Sequence, residues 1–243
     1  MSTVTEIDTR SLDRAAFRDR LVAAVDQFRY EDTRLCALLH SGRCPKPLLL
    51  RYALATYSAA HQFLASLSEM IELAPSAKAR LVLLENLLEE EGIFLRPSAG
   101  LIVRPEKRHP ALALRFVKAC GGDGTMIDSE VKHSIGRGRE LLADGRWLEA
   151  AAHLLVGQEY KFPAVAEANR LGLLKCGFSE HDIAFFTVHI DDDKKHGEEA
   201  LDLVLDHATT RDEQEAAIWA AADGARIWFD LHGGSARSSK AAQ

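Results

Sequence analysis

The sequence predicts an all-α protein, a single domain built as a bundle of about eight helices. Apolar residues recur three and four positions apart along most of the chain, as Phe17, Leu21, Val25 and Phe28 do. Alternating runs of the kind that mark strands are essentially missing. Caps and breakers divide the chain into lengths typical of globular helices.

Ser11 is the expected N-cap of the first helix, and a second covers roughly Thr33 to His40 before the turn SGRCPKP. The helix after Pro47 runs through Tyr52, Tyr57, Ala60, Phe63 and Leu67. Pro75 and Ser76 open another, which passes Leu81, Leu84 and Leu88 and ends in Glu89-Glu90-Glu91 before Gly92. From Ile93 to Arg108 the periodicity lapses, which predicts a long loop of functional importance. His109-Pro110 restarts a helix that stops at Gly121-Gly122. Three more are expected over Ile127–Ala143, Trp147–Leu171 and Ser179 to about His207, the last with Asp182 at its third position, and a final one from Thr210 to about Leu231. The expected domain covers residues 1–232, and the polar tail 233–243 is expected to be disordered.

Of the 243 residues, 47% are hydrophobic and 27% charged, which describes an ordinary globular protein. The net charge of −6 gives no general attraction to nucleic acid or to an anionic membrane. Cys36, Cys44, Cys120 and Cys176 form no CxxC pair and read as reduced thiols. The first residues lack an apolar leader, and no run reaches the roughly 18 apolar residues of a membrane span. A cytoplasmic protein is expected.

The segment HIDDDKKHGEEALDLV carries the strongest chemical signal. His189, Asp193 and His196 fall within about 40° of one another on a helix, and imidazole with carboxylate is a natural ligand set for zinc, iron or manganese. This stripe continues an apolar row from Phe185 to Ala200 and Leu203. Groups buried there need either mutual hydrogen bonds or a metal, and the pattern alone leaves both open. Glu159 likewise sits in an apolar row with Ala151, Leu155, Phe162 and Ala166. Pro163, four residues on, removes the backbone donor for its carbonyl. The acidic run at the end of the fourth helix opposes the helix dipole. A wheel centred on Leu84 and Leu88 turns Glu91 inward, Glu90 to the flank and Glu89 outward. Tyr57, His61 and Tyr160 are weaker pocket candidates, and Arg51, Lys161 and Arg170 are cations with no assigned place. P-loop, GxSxG and dinucleotide motifs are missing.

Taken together, ENLLEEEG, the HP helix start, a buried Glu followed by Pro, and GFSEHDIAFFTVHIDDDKKHGEEAL resemble the haem-oxygenase-like di-iron oxidases. These are relatives of the pyrroloquinoline-quinone synthase C-protein and of thiaminase-type helical proteins. The resemblance spans about Tyr30 to His207 and is most specific in FF-x-x-H-x-x-x-D-x-x-H. It implies two Fe(II) ions held by Glu90, His109, Glu159, His189, Asp193 and His196. The family's Glu-x-Gly pattern selects Glu90, whereas the wheel favours Glu91. The histidine that normally follows within ten residues is replaced by His109, nineteen positions on, with the 93–108 loop as an insertion. The activity implied is oxidation of a small molecule, amino acid or fatty acid-like, by dioxygen, with an external electron source and a homodimeric assembly. A metal-independent oxidase like the quinone synthases and a non-enzymatic binding protein with a structural polar core are the rival readings.

Overall fold

A computed structural model describes residues 10–96, 98, 100–125, 136–191 and 193–233; the side chains at 191, 193 and 194 lie outside that description, as do His133 and the tail from 234 on. Mostly helical, the chain runs α1 (Arg14–Asp26), α2 (Arg34–His40), α3 (Lys46–Glu72) and α4 (Ala77–Glu90). A hairpin of β1 (Ile93–Arg96) and β2 (Gly100–Val103) follows, then α5 (His109–Ala119), α6 (Arg137–Ala143) and α7 (Trp147–Ala151). The helix continues in π geometry over Ala152–Glu159. It is followed by α8 (Phe162–Lys175), α9 (Ala184–Asp191), α10 (Asp193–His207) and α11 (Arg211–Leu231). The described helices outnumber the expected ones because the two long helices predicted over Trp147–Leu171 and Ser179–His207 are each described in pieces. No described helix is long and apolar enough to cross a membrane.

Local chemistry accounts for several helix starts. Thr33 and Ser76 accept from backbone amides at the starts of α2 and α4, and Thr210 forms a full capping box with Glu213. The first helix is capped by Asp13, not by Ser11, because the Asp13 carboxylate accepts from Ala16 N at 2.8 Å. Ser179 and Asp182 exchange the expected hydrogen bonds, although regular helix begins only at Ala184. Of the helix expected over Ile127–Ala143, residues 126–135 lie outside the description and Arg137–Ala143 is helical.

The expected loop over 93–108 is corrected to an antiparallel hairpin with Ile93 opposite Val103 and Arg96 opposite Gly100. Periodicity missed it because Leu95, Leu101 and Val103 are largely exposed, so no buried face imposes alternation. The hairpin is a closed excursion: Arg104 N donates to the Gly92 carbonyl at 2.8 Å, and Arg108 pairs with Glu91. Gly92 has φ +69°, and a Cβ there would lie 2.4 Å from the Arg104 carbonyl oxygen. The chain therefore leaves at Glu90 and returns at His109 to nearly the same point.

Two apolar clusters form the core. Phe17, Leu67, Met70, Leu83 and Leu155 belong to one, and Tyr52, Leu112, Phe116, Leu173 and Phe186 to the other. The chain passes from one cluster to the other between Leu155 and Ala166, and again between Phe186 and Ala200. Glu159, His189 and His196 fall within those crossings, so the polar groups occupy the seam between the two apolar masses.

Burial makes two further histidines acid-sensitive. His153 and His232 are each pushed down to about 4 by burial. His153 also faces Asp223, which opposes the shift, and Arg137 and Arg226, which reinforce it. Above about pH 6.5 both rings are neutral folded and unfolded, and stability is fully present. As pH falls below that, the unfolded chain takes up protons that the folded one refuses, so stability declines until the folded rings protonate near pH 4. The loss is about 1.4 kcal/mol per pH unit per ring, or roughly 2 kcal/mol per ring between pH 6.5 and 5. Urea denaturation at pH 7.5 and pH 5 should show a clearly lower midpoint at pH 5; equal midpoints would contradict this assignment.

Candidate metal centre

Three elements deliver one buried donor group each to a common point. Glu90 ends α4, His109 opens α5 and His189 lies in α9, and all three are buried. Glu90 Oε2 is 2.7 Å from His109 Nδ1, and Glu90 Oε1 is 4.0 Å from His189 Nε2. One donor atom from each residue lies within 4.8 Å of the other two. His189 Nδ1 is 2.5 Å from the Phe185 carbonyl oxygen. A proton on Nδ1 satisfies that carbonyl and leaves the Nε2 lone pair facing Glu90, the arrangement that prepares a histidine for metal binding. Ring packing holds this orientation, with Phe185 and His109 centroids 4.3 Å and Phe162 4.9 Å from that of His189.

The donor set fits a first-row metal ion. Two ligands about 2.1 Å from one ion stand about 3 Å apart when adjacent and about 4.2 Å apart when opposite. Glu90 reaches His109 with one oxygen and His189 with the other, and one donor atom from each residue lies within 4.8 Å of the others, so a side-chain movement of a few tenths of an ångström would close the set on one ion. A carboxylate buried at this point needs a compensating positive charge, and a bound cation would supply it.

Glu159 occupies the next position. It closes the π segment, where Tyr160 N donates to Leu155 O at 3.1 Å and Pro163 offers no donor to the Glu159 carbonyl. Both carboxylate oxygens lie 3.3 Å from Asn86 Nδ2. Glu159 borders a cavity with Glu90 and His189 on one side and a narrow crevice with Asn86 and His196 on the other. His196 is buried, and its Nε2 lies 3.0 Å from Glu89 Oε2. That contact holds the Glu89 carboxyl below its ordinary range. Asp193 belongs to α10, and its side chain lies outside the described residues.

The face of α4 differs from the wheel reading. Ala79, Leu83, Asn86 and Glu90 are its buried row, whereas Leu84 is 40% exposed. Glu90 points inward, Glu91 turns to Arg108, and Glu89 reaches His196 from the flank and not from an outward face. Asn86 went unnoticed, although its i+7 spacing from Ala79 and i−4 spacing from Glu90 mark the stripe. Tyr57 packs edge-on against His61 and lies outside the described cavity wall, while Tyr160 and Lys161 border an outer cleft and Arg51 another. Arg170 pairs with Glu180.

The cavity beside Glu90, Glu159 and His189 measures about 60 Å³ and is otherwise walled mainly by Tyr52, Phe63, Phe162, Phe185 and Trp228. An apolar chamber of this size against a buried carboxylate–imidazole cluster has room for a diatomic molecule or one or two waters and shields it from bulk water.

An all-helical bundle of the haem-oxygenase type, with a buried group able to bind a metal, defines the class. A family model described as "Iron-containing redox enzyme", of haem-oxygenase-like type, matches residues 50–229, and the chain belongs to that family. Among solved structures, a TenA homologue from Pseudomonas syringae matches with a TM-score of 0.71 at 12% identity, covering 93% of this chain and 98% of that one. A domain of unknown function with a haem-oxygenase-like fold from Shewanella denitrificans matches with a TM-score of 0.67 at 14% identity, covering 91% and 90%. A protein titled a TenA family transcription regulator, from Silicibacter, matches with a TM-score of 0.61 at 12% identity, covering 93% and 98%. At these identities the structures establish the fold alone. A comparison with curated proteins finds no match.

Proposed function

We propose that this redox enzyme is a non-haem di-iron oxidase or oxygenase that uses dioxygen to oxidise a small molecule in its bundle core. The observation that carries the reading is the convergence of Glu90, His109 and His189, all buried and within ligand distance of one another, on the wall of an apolar cavity. Glu90, His109, Glu159, His189, Asp193 and His196 would hold two ions, with Glu159 between the two groups of donors. When bound, iron supplies the one-electron chemistry that dioxygen requires. The protein's own part is to fix the donors and exclude water. The Phe185 carbonyl and the flanking rings orient His189, and Asn86 steadies Glu159. The aromatic wall keeps the reacting side dry, which strengthens every charge interaction there.

The Glu89–His196 contact favours a second reading in which one iron sits at Glu90, His109 and His189 and the other imidazole stays paired with its carboxylate. Anaerobic Fe(II) titration with metal analysis separates the two. Two irons per chain, each raising thermal stability, is the expected result. One iron would establish the second reading, and less than one with no optical change in air would overturn both.

A further inference from the structure

The feature that these roles leave unused is a polar chain behind the cavity, centred on the buried ring of His153. Gln158, Phe162 and Trp228 border both the 60 Å³ cavity and an outer cleft of about 770 Å³ that runs past Phe28, Lys161 and Phe229. They form the shared wall between the two spaces. Gln158 Nε2 lies 3.2 Å from Nε2 of His153, a residue with 0% exposure. On the other side of that ring, Nδ1 is 3.5 Å from Asp223 Oδ2. Asp223 is held in turn by Arg226 at 2.6 Å. Close packing makes this arrangement specific. A Cβ on Gly224 would lie 2.1 Å from the His153 carbonyl oxygen, and one on Gly157 2.6 Å from that of Ala221.

The protonation pattern follows from the charges. The Asp223 carboxylate lies 3.5 Å from Nδ1 and its negative charge favours a proton there, which leaves the Nε2 lone pair facing Gln158. Gln158 then donates from its amide nitrogen, which keeps its carbonyl oxygen available as an acceptor at that shared wall. The other polar groups on the cavity wall have roles already. Thr56 donates to the Tyr52 carbonyl at 3.0 Å, Thr56 and Asn169 engage the Tyr52 phenol, and Glu90, Glu159 and His189 form the centre.

We propose that Gln158, held in one orientation by the buried His153–Asp223 pair, is the substrate-recognition residue of this enzyme and selects a molecule with a hydrogen-bond donor on an otherwise apolar or aromatic body. A ligand lacking the donor displaces water from this half-buried acceptor without replacing its hydrogen bond, so it binds more weakly. The inference rests on the reading of the cavity as the place where substrate meets the centre.

Two measurements on the full chain test it. Nitrogen-15 imidazole spectra should show His153 as the neutral Nδ1–H tautomer at pH 7, and a dominant Nε2–H form would overturn the orientation argument without requiring any variant. Fluorine-19 NMR titration of the zinc-loaded protein should show 4-fluorophenol binding at least tenfold more tightly than 4-fluoroanisole, its donor-free counterpart. Gln158→Leu should remove that preference while leaving 4-fluoroanisole affinity unchanged, and Asp223→Ala should reduce it at least threefold. Equal affinities in the parent protein, or a preference that survives Gln158→Leu, would overturn the proposal, the latter assigning it to the metal. Iron stoichiometry is measured separately: a chain that keeps the preference but takes up no iron overturns the redox reading and leaves the recognition residue standing.

Discussion

Glu90→Gln should abolish tight iron binding at the three-donor group, with an affinity loss of roughly a hundredfold or more. Removing a group that merely orients a ligand already costs about 10–100-fold, and Glu90 is better placed than that. It is the residue that the other two donors share, 2.7 Å from His109 and 4.0 Å from His189. The substitution keeps the size and hydrogen-bonding capacity of the side chain but removes the charge that an Fe(II) ion needs. The metal-free variant should therefore remain folded, with a thermal midpoint at least equal to that of the parent, because a buried carboxylate has been neutralised. Isothermal titration with Fe(II) under nitrogen, alongside thermal unfolding of both proteins without metal, provides the check. Unchanged affinity in a folded variant would remove Glu90 from the centre.

Gly224→Ala is expected to have the largest effect on stability. The new methyl would meet the His153 carbonyl oxygen at 2.1 Å and its carbonyl carbon at 3.0 Å. Both are backbone atoms of the π segment, which cannot turn aside as a flexible side chain would. Overpacking of this kind costs about 3 kcal/mol or more, which for a chain of this size lowers Tm by roughly 6–12 °C. Gly197→Ala is the comparison, since its nearest contact is 3.2 Å from Tyr160 and its cost should be much smaller. Differential scanning calorimetry of the two variants reads the difference directly. A Gly224→Ala midpoint within two degrees of the parent (about the effect of half a kcal/mol) would show that α11 and the π segment are not in contact as described.

Much of this protein is legible in its sequence because helix formation is governed by short-range spacing. The stripes through α3 and α11 and the breaks at Pro75 and Gly121–Gly122 are local features, and they agree with the structure to within a few residues. The burial of Glu159, His189 and His196 is legible for the same reason, since each continues an apolar row along its own helix. The hairpin at 93–103 is not, because its strands have an exposed surface and carry no periodic signature.

What the sequence by itself determined is therefore the all-helical class and the set of residues whose chemistry suits a metal. Tertiary structure alone decided which of them meet. Glu90 and His109 stand nineteen positions apart, and only the closure of the hairpin over Gly92 brings them together. The choice among Glu89, Glu90 and Glu91 depended on the rotation of α4, which is set by neighbours far away in the chain. Contact between distant segments is a property of packing, and local spacing carries no record of it.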